Sequence, residues 1–383
     1  MVIYLDNAAT TFPKPPEVWQ AMEHFMKNIG ASAGRGGYRR ALAAEEIVFQ
    51  CRRLLGKLFN IDDATRIVFT ANATEAINLV LKGWLNPGDH VITTAMEHNA
   101  VWRCLKTLEK ERGISITVVP CREDGELMLP ELEAAFREET RLLACTHASN
   151  VTGTVMPVQA ITTVAHQYGV PVLLDAAQTA GAYPIDVQEL DIDFLAFTGH
   201  KGLLGPTGTG GLYIRPGFDL RPLKEGGTGS VSRLEYMPEG LPDRFEAGTL
   251  NMVGIAGLKA AVEYILNQGI DRIRAHEEEL TARMLAGLEG LPGVTVYGPR
   301  ETERKVGVVS FNLKKLAPEE VAYALDEGHD IMVRVGLHCA PLAHKTIGTL
   351  ERGTVRASVG YFNTSEEIDT FLAAIKEIIE ISS

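Results

Sequence analysis

Between residues 16 and 255, short apolar runs alternate with segments whose apolar positions recur at helical spacing. The runs at 66–70, 90–94, 116–120, 142–147, 171–175, 194–198 and 210–214 predict strands. The intervening segments at 74–83, 129–138 and 157–168 each carry an apolar stripe able to cover a sheet face. Such alternation is the pattern of a mostly parallel sheet covered on both faces, so this stretch predicts a doubly wound α/β unit.

Beyond residue 255 the texture changes. Two long helical patterns, 255–269 and 273–290, precede short strand patterns at 294–297, 306–312, 331–335 and 354–359. A last amphipathic stretch carries Ile368, Phe371, Leu372, Ile375 and Ile379 on one face. The expected division is a large α/β domain over 16–255 and a small α+β domain built from 1–15 and 256–383. Near the start, 15–29 reads as a helix at the domain junction, with Val18, Met22, Phe25 and Met26 inward and Gly30 as its stop.

A chain of 383 residues, 45% hydrophobic, has material for one large core and a smaller one. Its 18 Pro and 37 Gly are scattered as turn punctuation, with no linker-like tract and no internal repeat. Lys and Arg total 37 against 49 Asp and Glu, and a net charge of -12 argues against binding nucleic acid or anionic lipid. The opening MVIYLDNAATTFPKPP has no basic region followed by an apolar run, and no segment approaches the ~20 apolar residues of a membrane span. A cytoplasmic protein without membrane association is expected. The cysteines, Cys51, Cys104, Cys121, Cys145 and Cys339, are odd in number and form no CxxC pair, which predicts reduced thiols. Four lie in apolar surroundings that suit buried structural residues, and Cys339 is the exception.

Three strand ends carry chemistry. FLAFTGHKG at 194–202 is an apolar strand ending in a small polar turn with Lys201, where ligands of doubly wound sheets bind. Its amine could form a Schiff base or be a solvated surface charge. VPVLLDAAQ at 170–178 ends a buried-looking strand in Asp175, a carboxylate that needs a partner such as a pyridinium nitrogen, or that caps the next helix. FTANATEAIN at 69–78 turns through small residues into a helix whose first N–H groups, with Thr74, suit a phosphate, or are simply capped. Together the three supply a Schiff-base lysine, a ring-nitrogen acid and a phosphate cradle.

Nine collinear blocks carry a wider likeness: YLDNAAT at 4–10, ATE at 73–75, MEHNA at 96–100, HASNVTGT at 147–154, DAAQ at 175–178, TGHK at 198–201, FEAGT at 245–249, LHCA at 337–340 and VRAS at 355–358. In these the chain resembles the class V aminotransferase family of fold-type I pyridoxal-phosphate (PLP) enzymes, and within it the cysteine desulfurases. The resemblance implies that Lys201 holds PLP as a Schiff base, Asp175 pairs with the pyridine nitrogen, Gln178 meets the phenolic oxygen and His98 stacks on the ring. It implies a phosphate held by Thr74, Thr198 and His200, with Ala73 and Asn150 also at the cofactor, a substrate carboxylate received by Asn150 and Arg356, and Arg334 among the substrate-binding residues. Thr249 would reach the phosphate of a neighbouring subunit, implying a homodimer.

The loop VRVGLHCAPL at 333–342 follows a short strand and ends in turn chemistry, which places Cys339 on a loop, with Arg334 and His338 as cationic neighbours to favour its thiolate. A metal site of His338, Cys339 and His344 is a weak zinc pattern. The resemblance implies that Lys201 acts as general base and His98 as proton shuttle while L-cysteine yields L-alanine and a persulfide on Cys339, which a sulfur-acceptor protein or thiol then relieves. The loop looks like that of the short-lobe, sulfur-mobilisation and selenocysteine-lyase-like subgroup, but Leu337 stands where that subgroup has a histidine. GRGGY at 34–38 likewise replaces a histidine-containing pattern. Selenocysteine lyase, cysteine-sulfinate desulfinase, and a poorly active sulfur carrier on the same fold are the alternatives.

Overall fold

The computed structural model describes residues 2–34 and 36–382, so Arg35 of the GRGGY segment lies outside the described residues. The chain opens with β1 (Ile3–Tyr4), α1 (Pro16–His24) and α2 (Arg39–Phe59). There follow β2 (Ile67–Thr70), α3 (Ala73–Trp84), β3 (His90–Thr94), α4 (Asn99–Arg112), β4 (Ser115–Val119), α5 (Leu129–Ala134) and β5 (Thr140–Thr146). Next come α6 (Val158–Gln167), β6 (Val172–Asp175), β7 (Phe194–Thr198) and β8 (Gly210–Ile214). The remainder comprises α7 (Met252–Gln268), α8 (Ile270–Glu289), β9 (Val294–Tyr297), β10 (Val308–Leu313), α9 (Pro318–His329), β11 (Ile331–Met332), β12 (Arg334–Gly336), α10 (Pro341–Thr346), β13 (Thr354–Ser358) and α11 (Ser365–Ile381).

Seven strands form the main sheet in the order β2-β8-β7-β6-β5-β3-β4. Its pairs are parallel except those of β8, which runs antiparallel to β7 and β2. Parallel neighbours require crossovers, and the crossover helices bury the central strands on both faces, which is why β6 and β7 read as apolar runs while the edge strand β4 is only partly buried. Alternate side chains feed two cores. Leu174, Leu195 and Phe197 pack with residues of α2, α6 and α7, whereas Leu173, Phe194 and Ala196 pack with residues of α3 and α4. The expected α/β fold with a mostly parallel sheet is therefore present.

A second, antiparallel sheet has the order β12-β13-β10-β9, and its core joins Val309, Phe311 and Val355 to Leu280 of α8, Leu325 of α9 and Phe371 of α11. β1 pairs with β11, and the chain just after it bridges from Asp6 to Ser358 at the end of β13. The N-terminal segment is thus laid against the second sheet, with residues more than 300 positions away in sequence.

The differences from expectation are local. The segment 331–335 is two strands in two sheets, because the chain passes from β11 beside β1 to β12 beside β13 at Val333. The first helix ends in a wide π turn over Phe25–Ile29 and stops at Gly30, whose φ of 54° is left-handed. Val18 and Phe25 are buried as expected, but Met26 is exposed. It sits roughly 80° round the helix from Val18, outside the stripe. No helix among the described residues is long and apolar enough to cross a membrane.

Candidate active site

The carboxyl ends of β2, β3, β5, β6 and β7 and the β12–β13 edge of the second sheet enclose one cavity of about 380 Å³. Of the residues singled out in the sequence, Ala73, Thr74, His98, Asn150, Asp175, Gln178, Thr198, His200, Lys201, Arg334, Cys339 and Arg356 border it. Thr249 does not. It borders a separate cleft with Arg52 and Glu246, so a role for it at such a cavity requires a second copy of the chain.

Asp175 closes β6 and is buried, its Oδ1 accepting the Ala177 N–H at 3.0 Å. Burial pushes its carboxyl pKa up, and that hydrogen bond and the Lys201 charge oppose the push. Burial brings the Lys201 amine down to about 8, against the pull of Asp175 and with the help of the Arg356 and Arg334 charges. An amine in that range is available as a base or nucleophile near neutral pH.

The turn that presents Lys201 is tightly built. Gly199 donates its N–H to the Thr209 carbonyl at 2.7 Å, and a Cβ at Gly199 would lie 2.1 Å from Thr209 Oγ1, so no other residue fits without displacement. The His200 carbonyl accepts from the Thr11 N–H at 3.0 Å, Thr10 Oγ1 at 3.1 Å and Lys14 Nζ at 2.7 Å, which ties the N-terminal segment over the turn.

At the start of α3, the Asn72 side chain caps the Glu75 N–H at 3.0 Å while Glu75 accepts the Ala71 N–H at 2.6 Å. The N–H groups of Ala73 and Thr74 have no intrahelical acceptor, and the positive end of the helix dipole adds to them. Gly210 lets β8 approach this turn, since a Cβ there would meet Asn72 Cα at 2.7 Å. His200 Nδ1 is buried without a partner among the described residues. The Ala73 and Thr74 amides, the Thr74 hydroxyl and the His200 Nδ1 left without a partner among the described residues suit an anion.

His98 caps α4, its Nδ1 accepting the Ala100 N–H at 3.0 Å, which puts the ring proton on Nε2. Burial, helped by the Lys201 and Arg356 charges, lowers its pKa to about 4, so the ring is neutral near pH 7. Behind it, fully buried Glu97 accepts from Thr94 Oγ1 at 2.6 Å and the Thr146 N–H at 3.0 Å, joining the ends of β3 and β5. Burial pushes this carboxyl up to about 8. The unfolded chain ionises Glu97 first, so its contribution to stability is full below pH ~4.5 and is lost as pH rises towards 8. Glu97→Gln removes that loss. Denaturant titrations should show the variant gaining on the wild type between pH 5 and pH 8, and a difference that stays constant over that window contradicts the assignment.

On the opposite wall, Arg334 and Arg356 face each other across the β12–β13 ladder. Asp6 lies between them. Its Oδ1 accepts from Arg356 Nη2 at 2.9 Å, and its two oxygens accept from Arg334 Nε at 3.2 and 3.0 Å. Arg356 also donates Nη1 to the Asn150 carbonyl at 3.1 Å, while its Nε is buried without a partner among the described residues.

Cys339 lies in the four-residue connection between β12 and α10. It is exposed, whereas Cys51, Cys104 and Cys145 are buried and Cys121 half-buried. Burial pushes Cys51 and Cys121 up to about 12 and Cys104 up to about 11. His338 and Cys339 both have left-handed backbone, φ 47° and 58°, a conformation costing ~1–2 kcal/mol per residue outside glycine. Two hydrogen bonds hold it: Asn150 Nδ2 donates to the His338 carbonyl at 2.6 Å, and the Asn99 N–H donates to the Cys339 carbonyl at 2.7 Å. The expected cationic help from His338 is corrected by its burial. Its Nε2 meets Thr354 Oγ1 at 3.0 Å, and desolvation, with the charge of Arg356, lowers its pKa to about 2. The imidazole is neutral, and the Arg334 charge is shared with Asp6.

Two residues received no role from the sequence. Asp6 and Glu97 stand inside the blocks YLDNAAT and MEHNA, each an acid directly after an apolar residue, Leu5 or Met96, which was the available signal. Their partners lie up to 350 residues away, beyond what spacing conveys.

The sequence profile described as aminotransferase class-V matches residues 3–371. A probable cysteine desulfurase of Methanothermobacter thermautotrophicus is 40% identical over 382 residues, spanning 98% of this chain and 94% of its own. A cysteine desulfurase of Escherichia coli O157:H7 is 40% identical over 387 residues, with 98% and 93% covered. Among solved structures, the apo cysteine desulfurase of Thermococcus onnurineus NA1 superposes with a TM-score of 0.94 at 38% identity, over 99% of this chain and 95% of its own. The S-sulfonic acid form of the Escherichia coli cysteine desulfurase CsdA gives 0.90 at 29% identity, over 100% and 96%. With the profile spanning nearly its full length and relatives this similar end to end, the chain belongs to the aminotransferase class-V family.

Proposed function

We propose that the protein is a PLP-dependent cysteine desulfurase that converts L-cysteine to L-alanine and takes the sulfur onto Cys339. The observation that carries this is the meeting, around one cavity, of a low-pKa lysine, a buried carboxylate and an exposed cysteine. The sheet of 16–255 serves as the cofactor-binding domain, and 1–15 with 256–383 as the smaller domain. The separate second sheet, and the core that joins Ile3 and Leu5 to β10, β13 and α11, support that division, while α7 packs in the core of the main sheet.

The residues present fit PLP. Ala73, Thr74, Thr198 and His200 would hold its phosphate, and the unpartnered His200 Nδ1 is one observation in favour. Asp175 would pair with the ring nitrogen, Gln178 with the phenolic oxygen, and His98 with the ring face, while Lys201 anchors the group covalently. When bound, PLP supplies an electron sink for charge on the substrate Cα.

The chain's own residues do the rest. Asn150 and Arg356 receive the substrate carboxylate, and the unpartnered Arg356 Nε supplies a buried donor for it. The Lys201 amine, once free, accepts the Cα proton. Neutral His98, with its proton on Nε2, donates rather than accepts at that atom. Cys339 Sγ attacks the substrate sulfur as the carbon–sulfur bond breaks, leaving a persulfide on the protein and alanine as the organic product. A second protein or thiol must then remove the sulfur. Thr249, remote from its own cavity, would complete that of a second copy in a homodimer.

Purified protein supplied with PLP, L-cysteine and a reducing thiol should release alanine and sulfide in equal amounts. Alanine from selenocysteine or cysteine sulfinate but not from cysteine moves the assignment to those substrates, and alanine from none of the three supports the carrier alternative.

A further inference from the structure

We propose that Asp6 is a specificity-determining residue, which masks Arg334 and so denies a guanidinium to any second anionic group on the substrate. The inference rests on the desulfurase reading and sharpens its substrate class: amino acids with a neutral sulfur side chain, in preference to sulfinates and dicarboxylates.

Arg334 and Arg356 stand directly opposite each other on adjacent antiparallel strands, an arrangement that is unfavourable for like charges. The N-terminal segment resolves it by bringing in one carboxylate, positioned by the bridge from Asp6 to Ser358. Two guanidiniums and one carboxylate leave a single net positive charge, which matches one substrate carboxylate.

The two arginines divide that surplus unequally. Arg356 is buried, bound to Asp6 and to the Asn150 carbonyl, and keeps an unpartnered Nε. It has a donor left for the α-carboxylate. Arg334 spends its Nε and a terminal nitrogen on Asp6, the latter at 3.0 Å, with 49% of its side chain exposed. It borders the same cavity as Cys339. A substrate held by its α-carboxylate must bring its sulfur to Cys339, so an anionic sulfur group would enter the space onto which Arg334 opens. With Asp6 in place the Nε and Nη2 edge of that guanidinium is already engaged.

The test uses the PLP-reconstituted protein and two unreactive anions, succinate with two carboxylates and propionate with one, their Kd values measured by calorimetry. Asp6→Asn should strengthen succinate relative to propionate by about tenfold, the gain of one partly exposed charge-assisted pair. The kcat/KM of cysteine sulfinate relative to cysteine should move the same way. Asp6→Asn combined with Arg334→Gln should return the anion ratio to the wild-type value. A folded Asp6→Asn protein that gains equally on both anions, or on neither, overturns the proposal. Arg334→Gln alone decides the matter should Asp6→Asn not fold: an unchanged ratio fits a masked guanidinium, and a fall shows that Arg334 already reads anions. Alanine formation by the wild type tests the desulfurase reading separately, because the binding ratio needs no turnover.

Discussion

Lys201→Ala is expected to abolish both the visible absorbance of protein-bound PLP joined to an amine and the formation of alanine, the latter by about 10³-fold or more. The expectation follows from how the site is built. Lys201 lies at the base of a cavity whose other cations are guanidiniums, which neither form Schiff bases nor give up protons near neutrality. Its amine is brought down to about 8 by burial, so it alternates between anchoring and accepting a proton at modest cost. Alanine removes the amine without disturbing Gly199, whose contacts with Thr209 shape the turn. Some PLP should stay bound through its phosphate and ring nitrogen, with altered absorbance. A variant that keeps the original absorbance would place the covalent anchor elsewhere and remove the basis of the functional assignment.

Cys339→Ser separates the second half of the chemistry from the first. Alanine formation from L-cysteine should fall to background, with the PLP absorbance unchanged. Serine is nearly the same size, so the left-handed backbone at 338–339 and its two hydrogen bonds persist, yet an oxygen at that position cannot carry sulfur as a persulfide. No other thiol can take over. Cys51 and Cys145 are buried, and burial raises Cys121 to about 12 and Cys104 to about 11. Undiminished alanine formation by the serine variant would transfer the nucleophile's role to another residue or to an external thiol.

The parts of this molecule legible in its sequence are those written by local physics. Strands inside a sheet covered on both faces are buried throughout, so β3, β7 and β8 stand out in the sequence with the observed bounds. Thr74 follows β2, His98 follows β3, Asp175 ends β6 and Lys201 follows β7, and residues at the carboxyl ends of such strands converge, so most of the cavity follows once the sheet is granted. What was not legible depends on pairing between distant segments. The break at Val333 occurs because β11 and β12 choose partners in different sheets. The charge of His338 was misjudged because neighbouring residues in sequence do not reveal burial. Asp6 gains its meaning only when the first residues of the chain are laid beside β13.

The short connection carrying Cys339 has a consequence for delivery. Its peptide groups are pinned on either side of the thiol-bearing residue, to Asn150 and to Asn99, so the sulfur travels no farther than side-chain rotation allows. On the desulfurase reading, such a post cannot swing outward to meet a customer. The recipient must do the travelling, by extending a slim reactive group of its own to the doorway, and the shape of that doorway then screens which recipients are served.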